Sequence, residues 1–196
     1  QIIRGLAARN KGPLSMSSVV RIWREILSAN LNQQIEIRAA TLSSDTDFQG
    51  LATEYVGTTS KLLYLDNIEE VIQCVAKGDA EIGILPDLNL SVHGRWWPKL
   101  INLCKNRKLN IISHLPVATS RAKKPGAFII AAQEPEISGN DTSVFIVDGD
   151  TYLVPGRIID EDGDMKLIFV DGYQQSLDAP ANIKWERIGA FPNPIV

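Results

Sequence analysis

Helix and strand patterns alternate along residues 35–86, and this alternation constrains the fold more than any other feature of the chain. Apolar residues at helical spacing predict helices over residues 47–56 and 68–76, and Gly78 stands where a helix C-cap is expected. Short alternating or apolar runs predict three strands, at residues 35–40, 62–65 and 80–86. This order of elements predicts an α/β fold, in which the third strand is buried and parallel.

Two helices are predicted before this region. Residues 2–9 have the pattern of the end of a helix, and residues 17–33 have that of a second helix with one apolar stripe. The stripe consists of Val19, Val20, Trp23, Ile26, Leu27 and Leu31. Two helices alone would leave it exposed, so we expect a partner helix to cover it, either from a missing upstream piece or from a second subunit.

The rest of the chain is predicted to be rich in strands. Residues 109–115 and 127–132 have strand patterns, and the polar segment 134–141, with its Pro and Gly, is the predicted domain boundary. Beyond it we predict no helix, only further strand-like runs at residues 142–147, 165–170 and 187–191. The acidic residues 160–164 lack the spaced ligands of a calcium loop, so a hairpin turn is expected there.

Composition and charge exclude several classes of partner. The net charge of −3 gives no electrostatic reason to expect nucleic acid or an anionic membrane. No run of about 18 apolar residues predicts a membrane span. Cys74 and Cys104 are the only cysteines, so a reducing cytoplasm is the expected location, and Cys74 is expected in the core.

Few other residues suggest chemistry. His93 and His114 are far apart and have no metal-ligand spacing, and the sequence contains neither a glycine-rich phosphate loop nor a nucleophile elbow. Trp96 and Trp97 are expected to cap a core or an interface, although a ligand wall beside Arg95 is an alternative.

Asn30 and Gln34 form the candidate site. They are four residues apart in the helix-like stretch of residues 17–34, so their amides are expected to project from one face. Two amides one turn apart can bind a polar, oxygen-rich ligand through neutral hydrogen bonds. The alternative is a solvated helix end, because polar residues usually occupy exposed faces.

This helix resembles the last helix of an all-α (AroQ-type) chorismate mutase, whose motif reads Arg-Glu-Ile-x-x-Ala-Ser-x-x-x-Gln. The chain keeps Arg-Glu-Ile at residues 24–26, has Asn30 in place of the Ser, and matches the Gln with Gln34. Residues 1–4 resemble the end of the family's middle helix. The resemblance implies that the active-site Arg-Glu pair and the long first helix lie upstream of Gln1, which is not a natural start, so this chain is expected to be truncated.

The same resemblance assigns the site residues. It implies that Gln34 and Asn30 are catalytic and that Arg4 and Arg24 contact the substrate, a small anion. Chorismate rearranges to prephenate without a covalent intermediate, so no cofactor and no metal are expected.

Residues 67–89 resemble the first lobe of prephenate dehydratases and of the periplasmic-binding-like fold. The shared pattern is a helix followed by Gly78, Asp79, Gly83, Pro86 and Asn89. Any βαβ unit is the alternative. The dehydratases carry a Thr-Arg-Phe motif on a strand, and this chain has Gly-Ala-Phe at residues 126–128, so dehydration is expected to be lost.

Residues 188–192 resemble the end of the ACT regulatory domain of bifunctional chorismate mutase–prephenate dehydratases. Two helices and the Glu-Ser-Arg-Pro motif of that domain are missing, so a reduced ACT-like end is expected. The order of the three resemblances is that of the bifunctional P-protein family, of which this chain is identified as a degenerate, truncated member. The predicted domains are residues 1–34, mutase-like helices; 35–133, dehydratase-like and periplasmic-binding-like α/β; and 142–196, reduced ACT-like.

The resemblance implies a cytoplasmic, homodimeric, chorismate mutase-related protein of aromatic amino-acid biosynthesis. The complete chain would rearrange chorismate to prephenate, the dehydratase-like extension would be inactive, and this shorter chain is expected to have little activity. Two alternatives stay open: a non-catalytic small-molecule-binding or regulatory protein of aromatic amino-acid metabolism, and a plain assembly module.

Overall fold

The structure, a computed structural model, describes residues 2–43, 46–88, 94–103, 107–118, 126–149, 151–152 and 154–195. Within these ranges the helices are α1 (Ile2–Arg9), α2 (Met16–Asn32), α3 (Thr46–Val56), α4 (Ile68–Lys77) and α5 (Trp97–Leu103). The strands are β1 (Arg38–Leu42), β2 (Lys61–Leu65), β3 (Ile82–Pro86), β4 (Asn110–Leu115), β5 (Ala127–Ala131), β6 (Asp141–Asp148), β7 (Arg157–Asp162), β8 (Met165–Asp171) and β9 (Lys184–Pro192). Asn89, His93 and Cys104, which carried sequence-based expectations, lie outside the described residues.

All nine strands belong to one mixed sheet, in the order β2-β1-β3-β5-β4-β9-β6-β8-β7. β1 runs parallel to β2 and β3, β5 runs antiparallel to both β3 and β4, and β4 pairs in parallel with β9. The predicted α/β alternation and the buried parallel strand after α4 are therefore confirmed. β1 begins at Arg38 rather than at residue 35, because Ile35 and Glu36 are exposed on the segment that leaves α2.

The sequence of helix α4 explains where the helix begins and ends and which face is buried. The Asn67 side chain accepts a hydrogen bond from Glu70 N at 2.9 Å, which caps the first turn. Gly78 ends the helix in the left-handed region at φ 83°, as predicted, and its N–H bonds back to the last turn. Ile68, Val71, Ile72 and Val75 form the buried face that packs on the sheet.

The β-rich end consists of strands β6 to β9. The predicted hairpin at the acidic residues is confirmed: β7 and β8 pair antiparallel, and Gly163 stands in the turn at φ 61°. No helix occurs among the described residues after Gly149, as the sequence indicated. The ACT-like character of this end, and the division into residues 1–34, 35–133 and 142–196, stay predictions, although strands from the second and third segments share one sheet.

Helix α2 packs against α3 and the loop that follows it. The Glu25 carboxylate accepts hydrogen bonds from the Thr58 side chain and backbone N–H, and these bonds lower the pKa of Glu25. The Ser28 hydroxyl is 3.1 Å from the Ser60 hydroxyl. Part of the outer surface of α2 remains exposed, including Ile26, so a covering helix and the mutase-like nature of α1 and α2 stay predictions.

Trp96 and Trp97 lie in the core, at 1% and 0% exposure. Their indole N–H groups donate to Pro86 O at 2.8 Å and to Asp160 Oδ2 at 2.9 Å. Cys74 is half-buried against the same core, which agrees with the sequence-based expectation. No helix in the described part of the chain is both long and apolar enough to cross a bilayer.

Candidate functional site

The structure separates the two predicted catalytic amides. Asn30 is exposed on α2, and its Nδ2 donates to Ile26 O at 3.0 Å, one turn back on the same helix. Gln34 lies beyond the end of α2, after the C-cap residue Gln33, and its side chain lines a cavity between the helix and the sheet. The two side chains therefore do not share a helical face here, because the helix ends two residues before Gln34.

Arg24 lines the same cavity as Gln34. Its Nη1 donates to Tyr55 O at 3.0 Å, and its guanidinium stacks over the Tyr55 ring at 4.1 Å from the centroid. Its Nε is buried and has no hydrogen-bond partner among the described residues. No described carboxylate lies within ion-pair distance of this guanidinium.

We call the space under α2 the α2 cleft, a cavity of about 440 Å³. Its walls are apolar side chains of α2, α3 and the sheet, among them Leu27, Leu31, Val56, Ile82 and Ile112. Gln34, Gln133 and Glu81 are its polar members besides Arg24 and Ser28. The cleft thus combines a large apolar surface with a few polar groups, which is the usual composition of a small-molecule site.

Arg4 lies in a neighbouring cavity. Its Nη2 donates to Asn140 O at 2.9 Å and to Asn193 O at 2.7 Å, so it ties α1 to the segments before β6 and after β9. This cavity of about 540 Å³ is also lined by Arg24 and Leu27, next to the α2 cleft. The structure therefore brings Arg24 together with Gln34 on one side and with Arg4 on the other, and leaves Asn30 outside both cavities.

The strand that carries Gly-Ala-Phe at residues 126–128 borders a second site, at the end of β3. Asp87 directly follows β3, and its N–H donates to Gly126 O at 3.0 Å. A Cβ placed on Gly126 would come within 2.3 Å of the Asp87 carboxylate, and Ala127 is fully buried. The Asp87 carboxylate therefore fills the space that a side chain at residue 126 would need, and Ala127 lies inside the core.

His114 is the residue that sequence reasoning missed at this site. Its Nε2 is 3.4 Å from Asp87 Oδ2, and its ring packs on Phe128 and Phe191 with centroids 4.4 and 5.3 Å apart. Sequence spacing does not reveal this pair, because β4 and β3 meet only through β5. The one signal in the sequence was Asp87, a polar residue directly after the buried strand β3. No group of three metal-ligating side chains occurs in the described parts of the chain.

Comparisons with known proteins agree with this fold. No protein-family model matches the chain. The bifunctional chorismate mutase/prephenate dehydratase of Pseudomonas aeruginosa is 30% identical over 86 residues, which are 43% of this chain and 24% of that protein. A prephenate dehydratase from Arthrobacter aurescens in complex with L-Phe superposes with a TM-score of 0.56 at 12% identity, over 82% of this chain and 92% of that one.

A third similarity is to GqqA, described as a novel type of quorum quenching acylases, with a TM-score of 0.56 at 11% identity over 80% of this chain and 95% of that one. The fold is therefore of the prephenate dehydratase-like, periplasmic-binding-like α/β class. Within that class, the sequence similarity supports the resemblance to the chorismate mutase/prephenate dehydratase family, over about a quarter of that relative's length.

Proposed function

We propose that this chain belongs to a chorismate mutase-related protein of aromatic amino-acid biosynthesis, and that the complete chain rearranges chorismate to prephenate. The observation that carries the proposal is the 30% identity over 86 residues to a bifunctional chorismate mutase/prephenate dehydratase. The motif at residues 24–34 supports the mutase part, since it keeps the Arg-Glu-Ile body and Gln34. A cytoplasmic homodimer that takes a small anionic substrate is part of the proposal.

The chemistry requires positioning and charge stabilisation. The rearrangement has no covalent intermediate, so the protein holds a compact dianion and stabilises the negative charge that develops on the ether oxygen. In the proposed assignment Gln34 donates to that oxygen, and Asn30, which lies outside the cleft, assists only after its amide leaves Ile26 O. Arg24 and Arg4 are weaker candidates for contact with the substrate, because each already donates to backbone carbonyls. The upstream segment would therefore supply most of the cationic contacts.

The dehydratase-like part acts as an inactive extension in this proposal. A threonine hydroxyl and an arginine guanidinium are missing at residues 126 and 127, and the Asp87 carboxylate stands beside Gly126. A carboxylate at this place repels the carboxylates of prephenate, which adds to the loss of the cationic partner.

The alternative is a non-catalytic small-molecule-binding or regulatory protein of aromatic amino-acid metabolism. The α2 cleft favours it, because described residues of this chain line an apolar cavity of the size usual for small-molecule sites.

The mutase proposal is tested by chorismate loss at saturating substrate, with the complete chain and with this shorter one. We expect turnover from the complete chain and little from the shorter one. Gln34→Ala in the complete chain should lower turnover about a hundredfold, since it removes a hydrogen bond to transition-state charge worth roughly 3 kcal/mol. Its free energy of unfolding should change by less than about 1 kcal/mol, because the side chain is exposed.

Gln33→Ala is the matched control, because this neighbouring amide is also exposed and does not line the cleft. It should leave turnover unchanged. Equal turnover of the Gln34→Ala and Gln33→Ala proteins would refute the catalytic role of Gln34. Formation of phenylpyruvate from prephenate above the uncatalysed rate would refute the inactive extension.

A further inference from the structure

The guanidinium of Arg24 is an incompletely paired cation inside the protein. It has one hydrogen bond to a backbone carbonyl and one stacked ring, but its Nε is buried without a partner. A buried donor that lacks an acceptor destabilises the folded protein. The Nε is shielded from the cleft, but Nη2 has no acceptor among the described residues and is not fully buried, so a carboxylate that enters the cleft can pair with it.

The acidic groups around the cleft are engaged elsewhere. Glu81, on the cleft wall, accepts from Arg38 Nη2 at 2.7 Å and from Arg38 N at 2.6 Å. Glu54 lies beside the adjoining small cavity and faces Arg21 at 3.9 Å. Glu136 lines the cavity of Arg4, not the α2 cleft. Arg24 is therefore the one described cation on the cleft wall, and no described carboxylate neutralises it.

The size and the apolar walls of the cleft determine what kind of ligand body it can hold. A volume of about 440 Å³ lies within the usual range for small-molecule pockets, roughly 300–1,000 Å³. Leu27, Val56 and Ile112 offer apolar surface, and the Gln34 and Gln133 amides offer neutral hydrogen bonds. Within the described residues the cleft offers one cation, so it suits one carboxylate; the second carboxylate of a dianion would need a cation from another segment.

We propose that the α2 cleft binds a small monocarboxylate with an apolar body, whose carboxylate pairs with Arg24 and whose body lies against Leu27 and Ile112. This goes beyond the proposed mutase activity. The residues that line the site are described residues of this chain, and its test is equilibrium binding, not turnover.

The test uses 3-phenylpropanoate as the probe and its uncharged counterpart 3-phenylpropanamide. Titration of the isotope-labelled chain should show saturable binding of the acid at millimolar concentration, with the largest NMR shifts at the methyl groups of Leu27, Val56 and Ile112. The amide should bind at least about tenfold more weakly than the acid, because a hydrogen bond between charged groups is worth roughly 1.5–3 kcal/mol. Absence of saturable binding, equal affinity for the two probes, or shifts confined to other residues would each overturn the proposal.

Arg24→Leu keeps an apolar stem against Tyr55 and should weaken the acid about tenfold or more without weakening the amide. Arg24→Lys should restore part of the difference, because it returns a positive charge. Arg21→Leu is the matched control: Arg21 lies one turn away on α2, is exposed and does not line the cleft. Unchanged discrimination between acid and amide in the folded Arg24→Leu protein contradicts the role of Arg24. The experiment on the unaltered chain decides the matter if that variant does not fold.

Discussion

At the scale of one residue, Gly126 leaves room for a neighbouring carboxylate. The missing side chain leaves space that the Asp87 carboxylate fills, and the same carboxylate faces His114. A threonine at this position therefore requires Asp87 to move. The close approach of Asp87 to Gly126 and its contact with His114 therefore depend on the same position of the Asp87 side chain.

Gly126→Ala tests this coupling. The new Cβ would meet Asp87 Oδ2 at 2.3 Å, so we expect a loss of about 1–3 kcal/mol in the free energy of unfolding, as for an overpacked site. In an Asp87→Ala background the same substitution should cost less than half as much. Urea denaturation of the four proteins of the cycle measures the coupling. Additive effects would mean that Asp87 does not occupy the space beside Gly126.

Gly50→Ala is the control for this cycle. Gly50 lies on α3, and no heavy atom lies within 4 Å of the position of an added Cβ. Alanine in a helix is more stable than glycine by roughly 0.5–1 kcal/mol, so this variant should gain stability.

At the scale of elements, helix α5 is fastened to strand β7 through Asp160. Its Oδ2 accepts from Trp97 Nε1 and from Arg95 Nε, each at 2.9 Å. Burial raises the pKa of Asp160, but the hydrogen bonds from Trp97 and Arg95 outweigh it and leave the pKa below its usual value. The ionised Asp160 carboxylate is therefore more stable in the folded state than in the unfolded state.

Asp160→Asn should lower the free energy of unfolding by about 1 kcal/mol at neutral pH, because it keeps an acceptor for Trp97 but loses the charge that faces Arg95. A depressed folded-state pKa stabilises the protein above the unfolded value, about 3.9, and this contribution disappears as the pH falls through the folded-state value. The difference between wild type and variant should therefore shrink below about pH 4.

Denaturation curves from pH 7 to pH 3 measure this difference, and Asp164→Asn, in the exposed turn between β7 and β8, is the control. A difference that stays constant over this range would show that the charge of Asp160 contributes nothing.

The elements that could be predicted from sequence were those whose local signals agree. Helix α4 has an N-cap, an apolar stripe and a glycine C-cap, and it was predicted within one residue. β7 was missed, because its sequence, RIIDED, is mostly polar and exposed and gains its pairing only from β8. The loss of the dehydratase motif, predicted from Gly126 and Ala127, stays a prediction. The α2 cleft and the Asp87–His114 pair were not evident, because each joins residues from elements that only the sheet order brings together.

At the scale of the whole molecule, the α/β half and the β-rich end are joined where β4 meets β9. Gly189 pairs with Ile111 across this junction, with φ 146°. A Cβ on Gly189 would lie 2.2 Å from Ile111 O and 2.5 Å from Ile111 N. Both the backbone conformation and the close approach therefore require glycine at this position. Within the described residues, the register pair that joins β4 to β9 therefore includes a residue without a side chain.

Gly189→Ala should cost about 3 kcal/mol or more, since an unfavourable backbone conformation adds to a clash that only backbone movement can relieve. Gly139→Ala is the control, because Gly139 has φ 92° but no neighbour within 4 Å of an added Cβ, so it isolates the conformational part at about 1 kcal/mol.

Urea denaturation with fluorotryptophan NMR separates the halves: Trp96 reports on the α/β half and Trp185 on β9. If the junction couples the halves, wild-type signals change together, and in Gly189→Ala both transitions move to lower urea. A wild-type protein whose Trp185 signal changes well before that of Trp96 would instead support the predicted separate domain at residues 142–196, with β4 and β9 in contact but not interdependent.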